Sequence, residues 1–164
     1  MHKYQPKTKE ELIEVIKKEI YEVQGTPDNP NWEADLNCID TSAITDMSYL
    51  FSDETDLDEF NGNIFKWDVR NVEDMKEMFA YSEFNQDISE WDVKNVRNMY
   101  GMFYESQFNG DITGWDLSNV RDKKDMLTGT PLEKRIEQLI DNDENEINKD
   151  ENIDNDEDEF EIGR

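Results

Sequence analysis

Phe60–Glu83 reads FNGNIFKWDVRNVEDMKEMFAYSE, and the two stretches that follow repeat it. Phe84–Gln107 reads FNQDISEWDVKNVRNMYGMFYESQ, and Phe108–Pro131 reads FNGDITGWDLSNVRDKKDMLTGTP. The landmarks recur in steps of 24: Phe60, Phe84, Phe108; Trp67, Trp91, Trp115; Val72, Val96, Val120. A fixed period of this length marks units that bury their apolar face only against their neighbours. The expected architecture is therefore a short solenoid.

Upstream, residues 32–59 form a divergent unit set 28 positions before the next, so that Trp32 falls on Phe60, Leu36 on Ile64, Ile39 on Trp67 and Phe51 on Phe79. The four additional residues lie in the acidic loop SDETDLDE at 52–59. A longer surface loop costs little closure entropy. This gives about four coils, at 32–59, 60–83, 84–107 and 108–131. Within a coil, Trp67-Asp68-Val69 alternates apolar and polar, which suits a short strand. Met75, Met78 and Phe79 lie at helical spacing, so Glu73 to Ala80 is expected to make one or two helical turns. The fold class that follows is α/β: a leucine-rich-repeat-like solenoid of short parallel strands and short helices, with helical caps.

Both ends carry cap signals. Residues 1–31 are read as an N-terminal capping helix and turn: Thr8 and Glu11 form a capping box, and Leu12, Val15, Ile16, Ile20 and Val23 make one apolar stripe before Gly25-Thr26-Pro27 stops it. Thr130 and Glu133 form a second box around Pro131, so 132–140 is read as a C-terminal capping helix. Residues 141–164 carry 12 acids and 2 bases and are expected to be a disordered acidic tail.

The 164-residue chain holds 42 Asp plus Glu against 17 Lys plus Arg. That balance argues against nucleic acid and anionic membrane surfaces, which attract basic patches. No apolar run approaches the roughly 20 residues needed to span a bilayer, so no membrane insertion is expected. The single cysteine, Cys38, excludes an intrachain disulfide and a thiol metal cluster, and it is read as an inert buried thiol. The single histidine, His2, lies at the terminus, and no nucleophile elbow, phosphate loop or HExxH helix occurs. The expectation is a protein that is not an enzyme and needs no cofactor.

The motif FNxDIxxWDVxNVxxMxxMF, nearly intact at 84–103 and slightly altered at 60–79 and 108–127, resembles the BspA-like leucine-rich-repeat surface proteins of bacteria. IDTSAITDMSYLF at 39–51 resembles that family's first repeat, and TKEELIEVIKKEI its leader helix. The resemblance implies a leucine-rich-repeat-like fold and, in many relatives, surface display with adhesion or other protein–protein contact. The stretch MHKYQPKTKEELIEVIKKEIYE lacks the uninterrupted apolar segment of a signal peptide, and no lipidation cysteine lies near it. A cytoplasmic or non-classically exported protein is therefore the expectation set against the family's cell-surface location.

Two sets of residues stand out. Trp67, Trp91, Trp115, Val72, Val96, Val120, Met75, Met99, Phe79 and Phe103 are assigned to the core, an interior stack being preferred to a carbohydrate or peptide platform. Asp40, Asp68, Asp92 and Asp116 form an outward column beside Arg70 and Lys94. On a strand face these carboxylates either accept hydrogen bonds from nearby backbone or line a recognition stripe for a protein partner, and both readings stay open. Asn71, Asn95 and Asn119 are read as a ladder serving backbone groups at the turn. The expected function is a monomeric protein–protein interaction or adhesion-type module. The alternative is a calcium-responsive acidic module, although an EF-hand loop from Asp141 fails at Glu146 and Asn152.

Overall fold

The computed structural model describes residues 2–138. Helix α1 spans Lys9–Lys18, with the Thr8 hydroxyl accepting from the Glu11 amide at 3.2 Å and the Glu11 carboxylate accepting from the Lys7 amide at 2.7 Å. It buries Leu12 and Ile16 and passes directly into a π-helical turn, Glu19–Val23, which buries Ile20. Gly25 ends this segment because a side chain there would meet the Ile20 carbonyl oxygen at 2.1 Å. Helix α2 begins at residue 131 and continues through 138, capped by the Thr130 hydroxyl, which accepts from the Glu133 amide at 3.0 Å. The expected end of that helix at 139–140 and the acidic tail at 141–164 lie outside the described residues.

Between the caps the expected α/β solenoid of strands and helices is overturned. Among the described residues there is no β-strand, and the repeats contain no helix beyond a three-residue 3₁₀ turn, Asp53–Thr55, in the acidic loop. Neighbouring units meet through isolated parallel bridges, Asp46 to Asp74 to Asn98 to Asp122 and Asp35 to Asn63. The physical reason is a turn every few residues. Asn63, Asp68 and Asp74 each accept, through Oδ1, the amide two residues on, at 3.1, 3.1 and 2.8 Å. These Asx turns bend the chain before a strand can extend. Trp67-Asp68-Val69 alternates as a strand does, yet the Trp67 amide donates to Ile64 O and the Val72 amide to Val69 O, closing successive turns.

The expected helix over 73–80 fails for a related reason. Glu77 and Tyr81 are left-handed, with φ of 50° and 57°, so the segment is a run of three-residue closures: Met78 to Met75, Ala80 to Glu77, Ser82 to Phe79. The left-handed residues recur in every unit, at Tyr49, Glu77, Gly101 and Asp125, and again at Tyr81, Glu105 and Gly129. In the last three units the two left-handed positions stand four residues apart, and wherever another unit follows they lie in a run whose every second amide points toward it. The amides of Met75, Glu77, Phe79 and Tyr81 all donate to the following unit, at Asn98, Tyr100, Met102 and Tyr104, over 2.8–2.9 Å. Met47, Tyr49 and Phe51 donate in the same sense to Asp74, Lys76 and Met78.

A ladder with one polarity ends in a carbonyl edge and an amide edge, and the caps match them. Lys9 of α1 reaches the carbonyl edge, its Nζ lying 3.4 Å from Ser48 O, 2.9 Å from Ser48 Oγ and 2.9 Å from Asp46 Oδ2. At the amide edge, Gly129 N–H donates to Glu133 Oε2 of α2 at 2.7 Å. An ammonium thus meets carbonyl oxygens and a carboxylate meets an amide.

The interior is a set of side-chain columns. Phe51, Phe79 and Phe103 stack at 5.4 and 5.5 Å with planes within 4° of parallel, and Phe60, Phe84 and Phe108 stack beside them at 6.3 and 6.4 Å. Leu132 of α2 falls 24 residues after Phe108 and is buried in the same core. Trp67, Trp91, Val72, Val96, Met75 and Met99 are buried with them, as is Trp115. Val120 is only half-buried, because among the described residues no further coil follows the last unit and its Lys123 stands exposed where earlier units place methionine.

Candidate functional site

The aspartate column is built into turns. Asp40, Asp68, Asp92 and Asp116 each accept the amide two residues on, at 3.1, 3.1, 3.4 and 3.0 Å. Asp68 also takes Arg70 Nε and Nη2 at 2.9 and 2.7 Å, and Asp92 lies 3.1 Å from Lys94 Nζ. Hydrogen bonds from Ser42, Arg70 and Ser118 hold Asp40, Asp68 and Asp116 below the usual carboxylate range. These six residues therefore stand together, but at a turn and not on a sheet face, with their polar atoms largely engaged inside their own unit. Two further Asx columns, at positions 63 and 74, serve the same end: Asp35, Asn63, Asp87, Asp111 and Asp46, Asp74, Asn98, Asp122. Asparagine and aspartate interchange in both, so an acceptor oxygen is what the turn requires. The asparagine ladder is explicit: Asn71, Asn95 and Asn119 donate through Nδ2 to the carbonyls of Ser42, Arg70 and Lys94 at 2.7–2.8 Å.

A different surface gathers aromatic side chains. On the outside of the left-handed ladder stand Tyr49, Tyr81, Tyr100 and Tyr104. Tyr81 is 53% exposed and meets Tyr104 edge-on, ring centres 5.5 Å apart. Lys76 Nζ sits 5.2 Å from the Tyr49 ring and 5.7 Å from the Tyr100 ring, with Glu77 Oε1 at 3.8 Å. The adjacent Tyr49 side chain holds the Lys76 ammonium above the usual lysine range. One step along, Glu77, Tyr81, Tyr100, Gly101 and Tyr104 enclose a notch of about 260 Å³. It exists because the column Tyr49, Glu77, Gly101, Asp125 has no side chain at its third member, where a Cβ would meet Glu77 Cγ at 3.1 Å and Tyr104 Cβ at 3.6 Å.

Sequence reasoning missed this face. Its tyrosines occupy four different repeat positions and form no column in the sequence. The one available signal was Gly101 in the methionine-flanked segment MYGMF, where the neighbouring units read MKEMF and KKDML.

Among the described residues, no group of three or more His, Cys, Asp or Glu side chains is placed to hold a metal ion. No helix there is long and apolar enough to cross a membrane. Cys38 is half-buried, and burial pushes its thiol pKa up, which disfavours the reactive thiolate.

Fold and surface together define a capped stack of turn-built repeats. Residues 21–140 match the model of the family described as "Mycoplasma protein of unknown function, DUF285", and the chain belongs to that family. No curated protein and no solved structure matches the chain.

Proposed function

We propose that this chain is a non-enzymatic protein–protein interaction module that engages its partner through the tyrosine face of the left-handed ladder. The observation that carries the reading is Tyr81, more than half exposed and braced edge-on by Tyr104 beside Lys76 and Glu77. Tyrosines of this kind bring apolar area, a polar tip and little rotamer entropy, and they concentrate at the energetic centres of interfaces. The backbone behind them is fixed by the amide ladder, so the face loses little freedom on binding. The repeat's resemblance to BspA-like adhesion-type proteins points to the same class of function. The aspartate stripe makes a weaker surface, since each of its carboxylates already accepts a backbone amide.

Placing a photo-reactive phenylalanine at position 81, and separately at position 70, tests the assignment in the native cell. The expected result is a discrete conjugate from position 81 and none from position 70. Conjugates from position 70 alone would move the interface to the aspartate stripe.

A further inference from the structure

We infer that the notch between Glu77, Tyr81, Tyr100 and Tyr104 is a receptor for a lysine ammonium presented by a protein partner. This rests on the tyrosine face being the docking surface and names the chemistry it selects.

Three observations converge on it. The first is composition: three tyrosine rings and one carboxylate surround a space of about 260 Å³, floored by a glycine. A cation within about 6 Å of a ring centre is attracted by the negative face of the π system, and aromatic cages of this kind hold ammonium groups. The second is a working copy of the interaction one step away. Lys76 is seated between the rings of Tyr49 and Tyr100 with Glu77 alongside, so this face already holds a lysine by the means proposed. Lys76 touches Glu77 and Tyr100 from the neighbouring step, and no lysine is among the residues that line the notch itself.

The third is the local field. Glu77 and Glu105 flank the notch, and Asp53 lies near enough to Tyr81 to act on its hydroxyl; the chain as a whole carries a formal charge of −25. A basic segment is steered toward such a surface, and an anionic one is repelled. Tyr81 keeps its hydroxyl proton at physiological pH: desolvation, then the neighbouring Tyr104 hydroxyl and the Glu105 and Asp53 carboxylates, hold its pKa above the ordinary 10.

The test titrates the full chain with acetyl-Gly-Gly-Lys-Gly-Gly-amide and, in parallel, with the norleucine peptide that keeps the alkyl chain and lacks the ammonium. Tyrosine ring resonances report by NMR. The lysine peptide is expected to give saturable shifts at Tyr81, Tyr100 and Tyr104, leaving Tyr4 and Tyr21 unmoved, with affinity at least tenfold above the norleucine peptide. Glu77→Gln should weaken it several-fold. Gly101→Asn, which tolerates the left-handed backbone while filling the notch, should abolish it. Equal response to both peptides, or shifts spread over all six tyrosines, would overturn the assignment. A conjugate from position 81 together with no lysine response would leave the docking face standing and remove the lysine receptor.

Discussion

The Glu77 amide donates to the Tyr100 carbonyl at 2.9 Å while Glu77 itself holds a φ of 50°. A residue with a Cβ is strained there, by about 1–2 kcal/mol. The strain persists because reversing the peptide plane would break the inter-unit bond and misdirect the next one. The same compromise recurs at Tyr49 and Asp125, whereas Gly101 meets it without cost.

That column yields a paired prediction. Glu77→Gly should leave stability unchanged or raise it by up to about 1 kcal/mol, the relief being partly offset by a freer unfolded chain. Gly101→Val should cost about 2 kcal/mol or more, since a branched side chain takes the left-handed conformation and crowds Glu77 Cγ. Thermal melts of the two variants check it; a Gly101→Val melt identical to the parent would refute the left-handed assignment.

The three tryptophans are equivalent in sequence but not in bonding. Trp67 Nε1 donates to Leu36 O at 3.0 Å and Trp115 Nε1 to Ile88 O at 3.3 Å, whereas Trp91 Nε1 is buried without a partner among the described residues. Trp67→Phe should therefore destabilise by about 1 kcal/mol more than Trp91→Phe, because only the former removes a buried hydrogen bond, Leu36 O keeping just the Ile39 amide at 3.1 Å. Urea midpoints with equal slopes would show the difference. Trp91→Ala, which empties a central site, should cost about 3–5 kcal/mol.

Much of this was legible in the sequence. The 24-residue period marked the columns of phenylalanine, tryptophan, valine and methionine and the asparagine ladder, and Thr-x-x-Glu spacing marked both helix starts. The path of the backbone inside a unit was not legible. Asx turns at Asn63, Asp68 and Asp74 bury Trp67 and Val69 on either side of Asp68 as a strand would, and linked turns place Met75, Met78 and Phe79 as a helix does. Periodicity reports which side chains go inside; it does not report the sign of φ. Aspartate or asparagine at three fixed positions per unit was the clue to turns. The tyrosine face depended on that hidden geometry and so stayed invisible.

Glu19 supplies a pH prediction. It is buried, accepts from Lys3 Nζ at 2.7 Å and from Gln24 Nε2 at 2.9 Å, and holds a pKa below the ordinary 4.5: burial pushes it up, but these hydrogen bonds outweigh burial. A lowered folded-state pKa stabilises above the unfolded value and loses that contribution as pH falls through the folded value. Glu19→Gln should therefore cost about 1 kcal/mol at pH 7, a modest figure because Lys3 is solvent-exposed. The gap between parent and variant should close as pH drops below 4.5, and a gap constant from pH 7 to pH 3 would contradict the pairing.

The polarity of the caps is testable at Lys9. Removing its ammonium by Lys9→Met keeps the alkyl stem and leaves Ser48 O and Asp46 without their partner. The expected loss is about 1–2 kcal/mol. Lys66→Met, at an exposed side chain, should change stability by less than about 0.5 kcal/mol. Equal melting temperatures for the two variants would remove the capping role.

The docking face is decided by affinity for a partner isolated from the native cell. Tyr81→Ala combined with Tyr104→Ala should weaken binding at least tenfold, equivalent to about 1.4 kcal/mol, with the melt of the stack retained. Asp68→Asn combined with Asp92→Asn, which keeps the turn-forming oxygens, should change it less than twofold. The reverse pattern, full binding without the tyrosines and lost binding without the carboxylate charges, would contradict the account.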